Sequence, residues 1–344
     1  MPLNLQAKKI KNTSDLRESG NPVDVLHHLL FDDMEDVNAL IIERLQSNVS
    51  LIPELGKHLI ESGGKRLRPL LTLASAHLCG YKGRHHIPLA ASVEFIHTAT
   101  LLHDDVVDQS DLRRGKISAN ALWGNKPSVL VGDFLFSRSF ELMVEANSIE
   151  VLAILSKASS KIAEGEVAQL LTTHNLATTE HDYLKVIESK TAQLFAAATR
   201  LGPVLAGFEE LHKDALEKYG LFLGTAFQLV DDVLDYKADD PLLGKKMGND
   251  FKEGKVTLPI IIAYKNADFK EKLFWKRTFE EGKQDPSDLE EAVAYFHKYN
   301  AFEKTIEKAK SYQAKALDEL EYFACSPIQD ALIDLTNFVV NRSY

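Results

Sequence analysis

Apolar residues recur every three or four positions through most of this chain, and this spacing limits the folds that are open to it. The repeating segments are residues 23–45, 88–108, 128–145, 151–171, 181–201 and 211–236, with several more near the C-terminus. Runs that alternate apolar and polar residues, as β-strands do, are nearly absent. The sequence therefore predicts an all-α protein of about a dozen helices.

Turn-forming residues separate the helical segments, but no linker or low-complexity stretch divides the chain. Glycine, proline and asparagine cluster at residues 62–64, 80–83, 123–127 and 241–244. We therefore predict a single helical domain over residues 21–344. Residues 1–20 are polar and aperiodic, and we predict that they form a loose arm.

Composition excludes several classes of protein. The chain is 45% hydrophobic and has a net charge of −10, which argues against nucleic-acid binding because that requires a basic surface. No stretch approaches the roughly 18 apolar residues of a membrane-spanning helix, and the N-terminus lacks the apolar core of a signal peptide.

The two cysteines, Cys79 and Cys325, lie far apart in the sequence and lack the spacing of metal ligands. We therefore expect reduced thiols and a cytoplasmic location.

Two clusters of aspartates are embedded in these apolar segments. They share the pattern Asp-Asp-x-x-Asp: Asp104, Asp105 and Asp108 form the first cluster, and Asp231, Asp232 and Asp235 form the second. The first and last aspartates of each cluster share a helix face, and clustered carboxylates bind hard divalent cations. An isolated cluster is more often a solvated helix end. Two clusters within apolar sequence instead predict a magnesium-lined cavity.

Basic residues lie on both sides of the first cluster. Lys65, Arg66 and Arg68 stand where a helix begins, and the helix dipole disfavours cations there by a few tenths of a kcal/mol. A bound anion would reverse that effect, so the loop could be an anion-binding site. The alternative is a basic loop that is simply exposed to solvent. Arg113 and Arg114 follow the cluster and either neutralise it or bind a phosphate that the metals also hold.

Further polar residues lie on the apolar helices. His97 is in line with the first aspartate cluster and is either a buried core histidine or a ligand-binding residue. Lys190 precedes Thr191 on an alanine-rich helix, and its side chain either extends to solvent or points at an anion. The neighbouring hydroxyl of Thr191 favours the second interpretation. Gly220 and Gly224 interrupt the helix of the second cluster at about 1 kcal/mol each. We therefore expect another element to approach these glycines closely.

Together, these motifs resemble the trans-isoprenyl diphosphate synthases, the polyprenyl synthetase family, from about Leu55 to Lys255. Five features follow the order of the family: the GGKRLRP loop, the first aspartate cluster followed by Arg-Arg-Gly, the Lys-Thr pair, Phe-Gln-x-x-Asp-Asp-x-x-Asp, and GK-x-x-G-x-D…GK. Lys246 departs from the family, in which many members have proline. We expect this change to affect loop rigidity and not chemistry.

The resemblance implies an isoprenoid synthase fold with helices around a central cavity, a homodimer, and magnesium-dependent prenyl transfer. An allylic diphosphate such as farnesyl or geranyl diphosphate ionises, isopentenyl diphosphate attacks, and proton loss gives an all-trans product. By resemblance, Asp104, Asp108 and Asp231 bind Mg²⁺, and Asp105, Asp232 and Asp235 are further ligands or support them. The allylic substrate is held by Arg113, Lys190, Thr191, Gln228 and Lys245 or Lys255. Isopentenyl diphosphate is held by Lys65, Arg68, His97 and Arg114.

The length of the product is predicted from Ala99 and Thr100, one turn before the first cluster. Short-chain members of the family have bulky aromatic residues there, so small residues predict a long product of eight to ten isoprene units. Such a product would be passed to membrane enzymes, for example as the side chain of ubiquinone. The alternatives are a short-chain farnesyl or geranylgeranyl diphosphate synthase and a non-catalytic subunit of a heteromeric synthase. A class I terpene cyclase is a further alternative, but it binds no isopentenyl diphosphate and would not need the GGKRLRP loop.

Overall fold

The computed structural model describes residues 21–61, 64–113, 115–237 and 247–342. The predicted arm at 1–20 and the predicted roles of Arg114, Lys245 and Lys246 lie outside the described residues. The α-helices are α1 (Pro22–Leu29), α2 (Phe31–Arg44), α3 (Leu51–Glu61), α4 (Leu67–Leu78), α5 (His86–Val107), α6 (Ala119–Trp123), α7 (Asn125–Glu145), α8 (Ile149–Thr172), α9 (Glu180–Ile187), α10 (Gln193–Leu205), α11 (Glu210–Leu234), α12 (Asn249–Lys252), α13 (Leu258–Asn266), α14 (Phe269–Trp275), α15 (Asp288–Lys298), α16 (Ala301–Leu320) and α17 (Pro327–Asn341).

Two π-helical turns and two short strands complete the elements of the described residues. The turn π1 (Glu188–Ala192) joins α9 to α10, and π2 (Lys276–Glu280) extends α14. Strands β1 (Leu112–Arg113) and β2 (Lys116–Ile117) pair antiparallel just after α5. The predicted all-α class is confirmed. That residues 21–344 form one domain stays a prediction.

One predicted helix proved to be two. The periodic segment 23–45 breaks at Leu30, whose φ and ψ of −115° and 22° are not helical, so that α1 and α2 are separate helices. No glycine or proline marks this break in the sequence. Periodicity alone therefore could not place it.

The helices that carry the aspartates are joined through α10. Helix α5 packs against α4 and α7, and α11 packs against α10 and α16. Helix α10 also contacts α4 and α5. The turn π1 leads directly into α10 and packs against α8 and α11.

The expected close approach to the glycines of α11 is confirmed. A Cβ on Gly220 would lie 2.4 Å from the carbonyl oxygen of Phe195, and one on Gly224 would lie 2.7 Å from the Cα of Ala192. On the other side of π1, a Cβ on Gly165 of α8 would lie 2.7 Å from the backbone nitrogen of Lys190. Gly165 and Gly224 therefore allow α8 and α11 to pack directly against the backbone of π1.

The described helices contain no segment that combines the length and the apolar character needed to cross a bilayer.

Candidate active site

Both aspartate clusters lie at the C-terminal ends of their helices. The backbone N–H of Asp108 donates to the carbonyl of Asp104 at 2.8 Å, and that of Asp235 donates to the carbonyl of Asp231 at 2.9 Å. The helix dipole is negative at this end and disfavours further negative charge. The clusters are therefore in electrostatically unfavourable places unless cations offset them.

Each of the three aspartates predicted to bind metal contacts one basic side chain. The Nζ atom of Lys190 lies 3.4 Å from Asp104, and that of Lys255 lies 3.1 Å from Asp108. The guanidinium of Arg342, which follows α17, contacts the carboxylate of Asp231. These cations come from three separate parts of the chain, so the tertiary fold assembles the charge balance.

Two other aspartates are buried and held by protein donors. The Nε atom of Arg113 donates to Asp105 at 2.8 Å. Tyr183 donates its hydroxyl to Oδ2 of Asp232 at 2.5 Å, and Gln228 donates to Oδ1 at 2.7 Å. Burial raises the pKa of Asp105, and it raises that of Asp232 to about 7. Both oxygens of Asp232 are occupied by protein donors, which suits a supporting role behind Asp231.

The third aspartate of the second cluster organises the segment that follows it. Oδ2 of Asp235 accepts the backbone N–H of Asp250 at 3.0 Å, and its backbone carbonyl accepts the N–H of Gly248 at 2.8 Å. Burial and the negative charges of Asp235 and Asp232 raise the pKa of Asp250. Asp235 therefore anchors the chain that leads to Lys255.

The Lys190–Thr191 pair lies on π1 and contacts both aspartate-bearing helices. Lys190 donates to Glu166 at 2.5 Å besides its contact with Asp104. Thr191 donates its hydroxyl to Gln228 of α11 at 2.9 Å. Isolated π-helical turns are frequent at functional sites. The extra residue of the turn here brings adjacent side chains to two different helices.

A cavity of about 140 Å³ opens beside this pair. It is lined by residues that include Lys190, Thr191, Gln228, Asp232, Asp250 and Lys255. Burial of Lys255 disfavours its charge, but the carboxylates of Asp250, Asp108 and Glu253 together raise its pKa. A half-buried, charged lysine beside carboxylates gives the cavity a cation suited to an anionic ligand.

Two residues predicted to bind isopentenyl diphosphate also lie together. The guanidinium of Arg68 is 3.1 Å from Nε2 of His97 and 4.5 Å from the ring centroid of Phe195. Arginine only donates, so Nε2 of His97 is the acceptor in this contact. Lys65 is exposed, with its Nζ 5.4 Å from the ring of Phe338 on α17.

Three residues at the site were not predicted as site residues from the sequence: Glu166, Tyr183 and Arg342. Burial and the charge of Asp104 raise the pKa of Glu166 to about 7, although Lys190 opposes the shift. The side chain of Arg342 is only 6% exposed, yet no motif surrounds it in the sequence. Only tertiary packing places these residues at the site.

The proposed chain-length residues lie on α5 as expected. Ala99 is buried in the apolar core, and Thr100 is half-buried with its hydroxyl donating to the carbonyl of His97 at 2.8 Å. Their contact with a growing chain stays a prediction.

The packing of π1 gives a direct test of its importance. Gly224→Ala would place a methyl group 2.7 Å from the Cα of Ala192, so the π1 backbone must shift. We expect kcat to fall about tenfold or more, because misplacement of catalytic groups by an ångström can cost as much as 100-fold. Steady-state kinetics would measure the loss, with Ser311→Ala on the exposed face of α16 as the control. Unchanged kcat in Gly224→Ala would show that the position of π1 is not critical.

Comparison with known proteins identifies the family. The sequence model of the Polyprenyl synthetase family matches residues 49–296, and the chain belongs to this family. The octaprenyl diphosphate synthase of Escherichia coli (strain K12) is 44% identical over 92% of this chain and 98% of the relative. The crystal structure of a decaprenyl diphosphate synthase from Rhodobacter capsulatus superposes with a TM-score of 0.89 and 52% identity, covering 93% of this chain and 98% of that one. A polyprenyl synthase from Caulobacter crescentus CB15, complexed with calcium and isoprenyl diphosphate, gives a TM-score of 0.90 with 50% identity and the same coverage.

Proposed function

We propose that the protein is an all-trans long-chain polyprenyl diphosphate synthase, which adds isopentenyl diphosphate units to an allylic diphosphate. The observation that carries the proposal is the convergence of two aspartate clusters on Lys190 and Thr191, with a basic partner for each predicted metal ligand. The octaprenyl and decaprenyl synthases that this chain resembles support the long product.

The acidic residues fit a magnesium site. Asp104, Asp108 and Asp231 offer hard carboxylate oxygens whose charge lysine or arginine offsets in the structure. Magnesium is usually bound by a few carboxylates together with substrate phosphates. When bound, Mg²⁺ supplies electrostatic stabilisation of the charge that develops on a leaving diphosphate.

The basic residues then have a second role. Lys190 and Lys255 contact carboxylates in the structure, and we propose that they donate to the diphosphate of the allylic substrate once it enters. Thr191 and Gln228, which bond to each other, orient that group, and Arg113 holds Asp105 beside it. Charge-assisted donors fixed around the leaving group lower the barrier to its departure.

A separate set of residues holds the nucleophilic substrate. We propose that Lys65, Arg68 and His97 bind the diphosphate of isopentenyl diphosphate, together with Arg114. The contact between Arg68 and His97 supports this assignment, because it places the two side chains together beside α5. The double bond attacks the allylic carbon, and the released diphosphate accepts the proton that is then lost.

Chain length is proposed to depend on the small residues before the first cluster. Ala99→Phe should block the path of the growing tail and shift the products to shorter chains. The measurement is chromatography of dephosphorylated products. Ala294→Phe on the exposed face of α15 serves as a control for the added ring. An unchanged distribution in Ala99→Phe would place the floor of the tunnel elsewhere.

We further propose a homodimer formed through α7 and α8. These helices expose several large apolar side chains: Leu130, Val144, Ile149, Val167, Leu170 and Leu171. Clustered exposed apolar surface on a protein of ordinary composition marks an interaction site. Sedimentation equilibrium would measure the mass of the protein in solution, which should be that of two chains. The cytoplasmic location and the supply of ubiquinone side chains stay predictions from the sequence.

The test of the whole proposal is an elongation assay. Purified protein is incubated with Mg²⁺, labelled isopentenyl diphosphate and farnesyl diphosphate, and the dephosphorylated products are sized. Products of eight to ten isoprene units are expected. Products of three or four units would favour the short-chain alternative. Failure to elongate would favour a subunit that needs a partner.

A further inference from the structure

Two histidines and an aspartate meet at the end of the molecule that lies away from the diphosphate-binding residues. Nε2 of His77 lies 2.6 Å from Oδ2 of Asp33, and Nε2 of His86 lies 3.0 Å from the same oxygen. Asp33 is in the first turn of α2, His77 in the last turn of α4, and His86 begins α5. The cluster therefore ties three helices together.

The cluster is separate from the candidate active site. His86 and Asp104 stand at opposite ends of α5, about 27 Å apart at the helical rise of 1.5 Å per residue. His77 likewise ends α4, whereas Arg68 lies near its start. Direct contact between these three residues and either diphosphate is therefore excluded by distance.

The three side chains present the ligand atoms of a transition-metal site. The candidate ligand atoms of Asp33, His77 and His86 all lie within 4.8 Å of one another. In a tetrahedral zinc site, with metal–ligand distances of about 2.1 Å, they would lie about 3.4 Å apart. Small side-chain rotations would therefore open the space for an ion.

Burial and charge at the cluster also suit a metal ion. The His86 side chain is 7% exposed and that of Asp33 is 16% exposed, whereas His77 is 42% exposed. Two ligands are thus fixed in the protein, and the third faces solvent, where water can complete the coordination. Asp36, one turn further along α2, is already paired with Arg84 at 2.5 Å. Asp33 is therefore the acidic ligand next to the histidines.

We propose that Asp33, His77 and His86 bind a divalent transition-metal ion, Zn²⁺, that clamps α2 to the α4–α5 connection. Two imidazoles and one carboxylate match the donors that zinc prefers, and magnesium prefers all-oxygen sites. The site would be structural, because it lies far from the reacting groups. The ion would replace the proton that each histidine now shares with Asp33.

The test measures bound zinc in the full-length protein. Chelator-treated protein is equilibrated with micromolar Zn²⁺ and millimolar Mg²⁺, which competes for the aspartate clusters, and zinc per chain is determined after desalting. His77→Asn should lower the content by one ion per chain. This variant should fold, since His77 is partly exposed. His85→Asn removes the neighbouring exposed imidazole and should retain the ion.

A second measurement does not depend on stoichiometry. Co²⁺ bound in place of Zn²⁺ should give the intense visible absorption of a four-coordinate ion in the wild type and in His85→Asn, and not in His77→Asn or Asp33→Asn. Zn²⁺ should also raise the melting temperature of the wild type more than that of His77→Asn. Equal zinc content and equal Co²⁺ spectra in the wild type and in His77→Asn would overturn the proposal.

Discussion

Asp104→Ala and Asp231→Ala are each expected to lower kcat by about 100-fold to 1000-fold, the loss seen when one electrostatic donor to a transition state is removed, about 3–4 kcal/mol. Asp104 and Asp231 stand in different clusters and contact different basic residues, Lys190 and Arg342. Either substitution removes one side of the proposed diphosphate-binding arrangement. Neither loss can be replaced by the remaining cluster, because the two lie on different helices.

The Asp104→Ala substitution should have little effect on folding stability. Asp104 is near the like charges of Asp105 and Asp108 at the negative end of a helix, and its contact with Lys190 is long at 3.4 Å. Lys190 keeps Glu166 as a partner at 2.5 Å in the Asp104 variant. We therefore expect the melting temperature of Asp104→Ala to be unchanged or raised. Activity would be lost without unfolding.

The measurement pairs steady-state kinetics with thermal unfolding. Asp111→Ala is the matched control, because Asp111 is an exposed acid just beyond the first cluster. It should retain normal kcat. Near-normal turnover in either cluster variant with saturating Mg²⁺ would refute the assignment of these aspartates. A collapse in melting temperature would instead indicate a structural role.

Helical spacing alone predicts part of the local arrangement. Asp104 and Asp108 share a helix face because they are four residues apart. The role of Thr191 and Gln228 in binding the allylic substrate is implied by the family resemblance and stays a prediction, although the two side chains are hydrogen-bonded to each other. The close approach at Gly224 followed from the cost of glycine inside a helix. Local geometry fixes the shared face of Asp104 and Asp108 and the close approach at Gly224, so the residues alone predicted these two features.

Features that depend on tertiary packing were out of reach. The turn π1 has the composition of an ordinary helix, and its extra residue is visible only in the structure. The pairing of Glu166 with Lys190 joins two helices whose relative rotation the sequence does not specify. The break at Leu30 has no proline or glycine to mark it. A pattern with a period near 3.6 predicts a helix and its buried face. It does not predict which other helices pack against that face.

Arg342 shows how a residue without a motif comes to the site. It donates to the carbonyl of Phe227 at 3.1 Å, contacts the carboxylate of Asp231, and lies 4.1 Å from the ring centroid of Phe227. A planar guanidinium can make all three contacts at once, whereas an ammonium group cannot. The C-terminal end of the described chain therefore fixes the orientation of a predicted metal ligand.

Arg342→Ala is expected to lower kcat/KM about 10-fold to 100-fold, because Asp231 loses the group that orients it and offsets its charge. Removing one partner of a buried ion pair costs 3–5 kcal/mol, but Asp231 is 30% exposed, so we expect a stability loss of about 1–2 kcal/mol. Arg342→Lys should recover part of the activity, since it keeps the charge without the planar fork. Steady-state kinetics and thermal unfolding would measure both effects, with Asn341→Ala as the exposed neighbouring control. Wild-type kcat/KM in Arg342→Ala would mean that Asp231 is held by the helix alone, and that the contact with Arg342 serves only to fasten the end of α17.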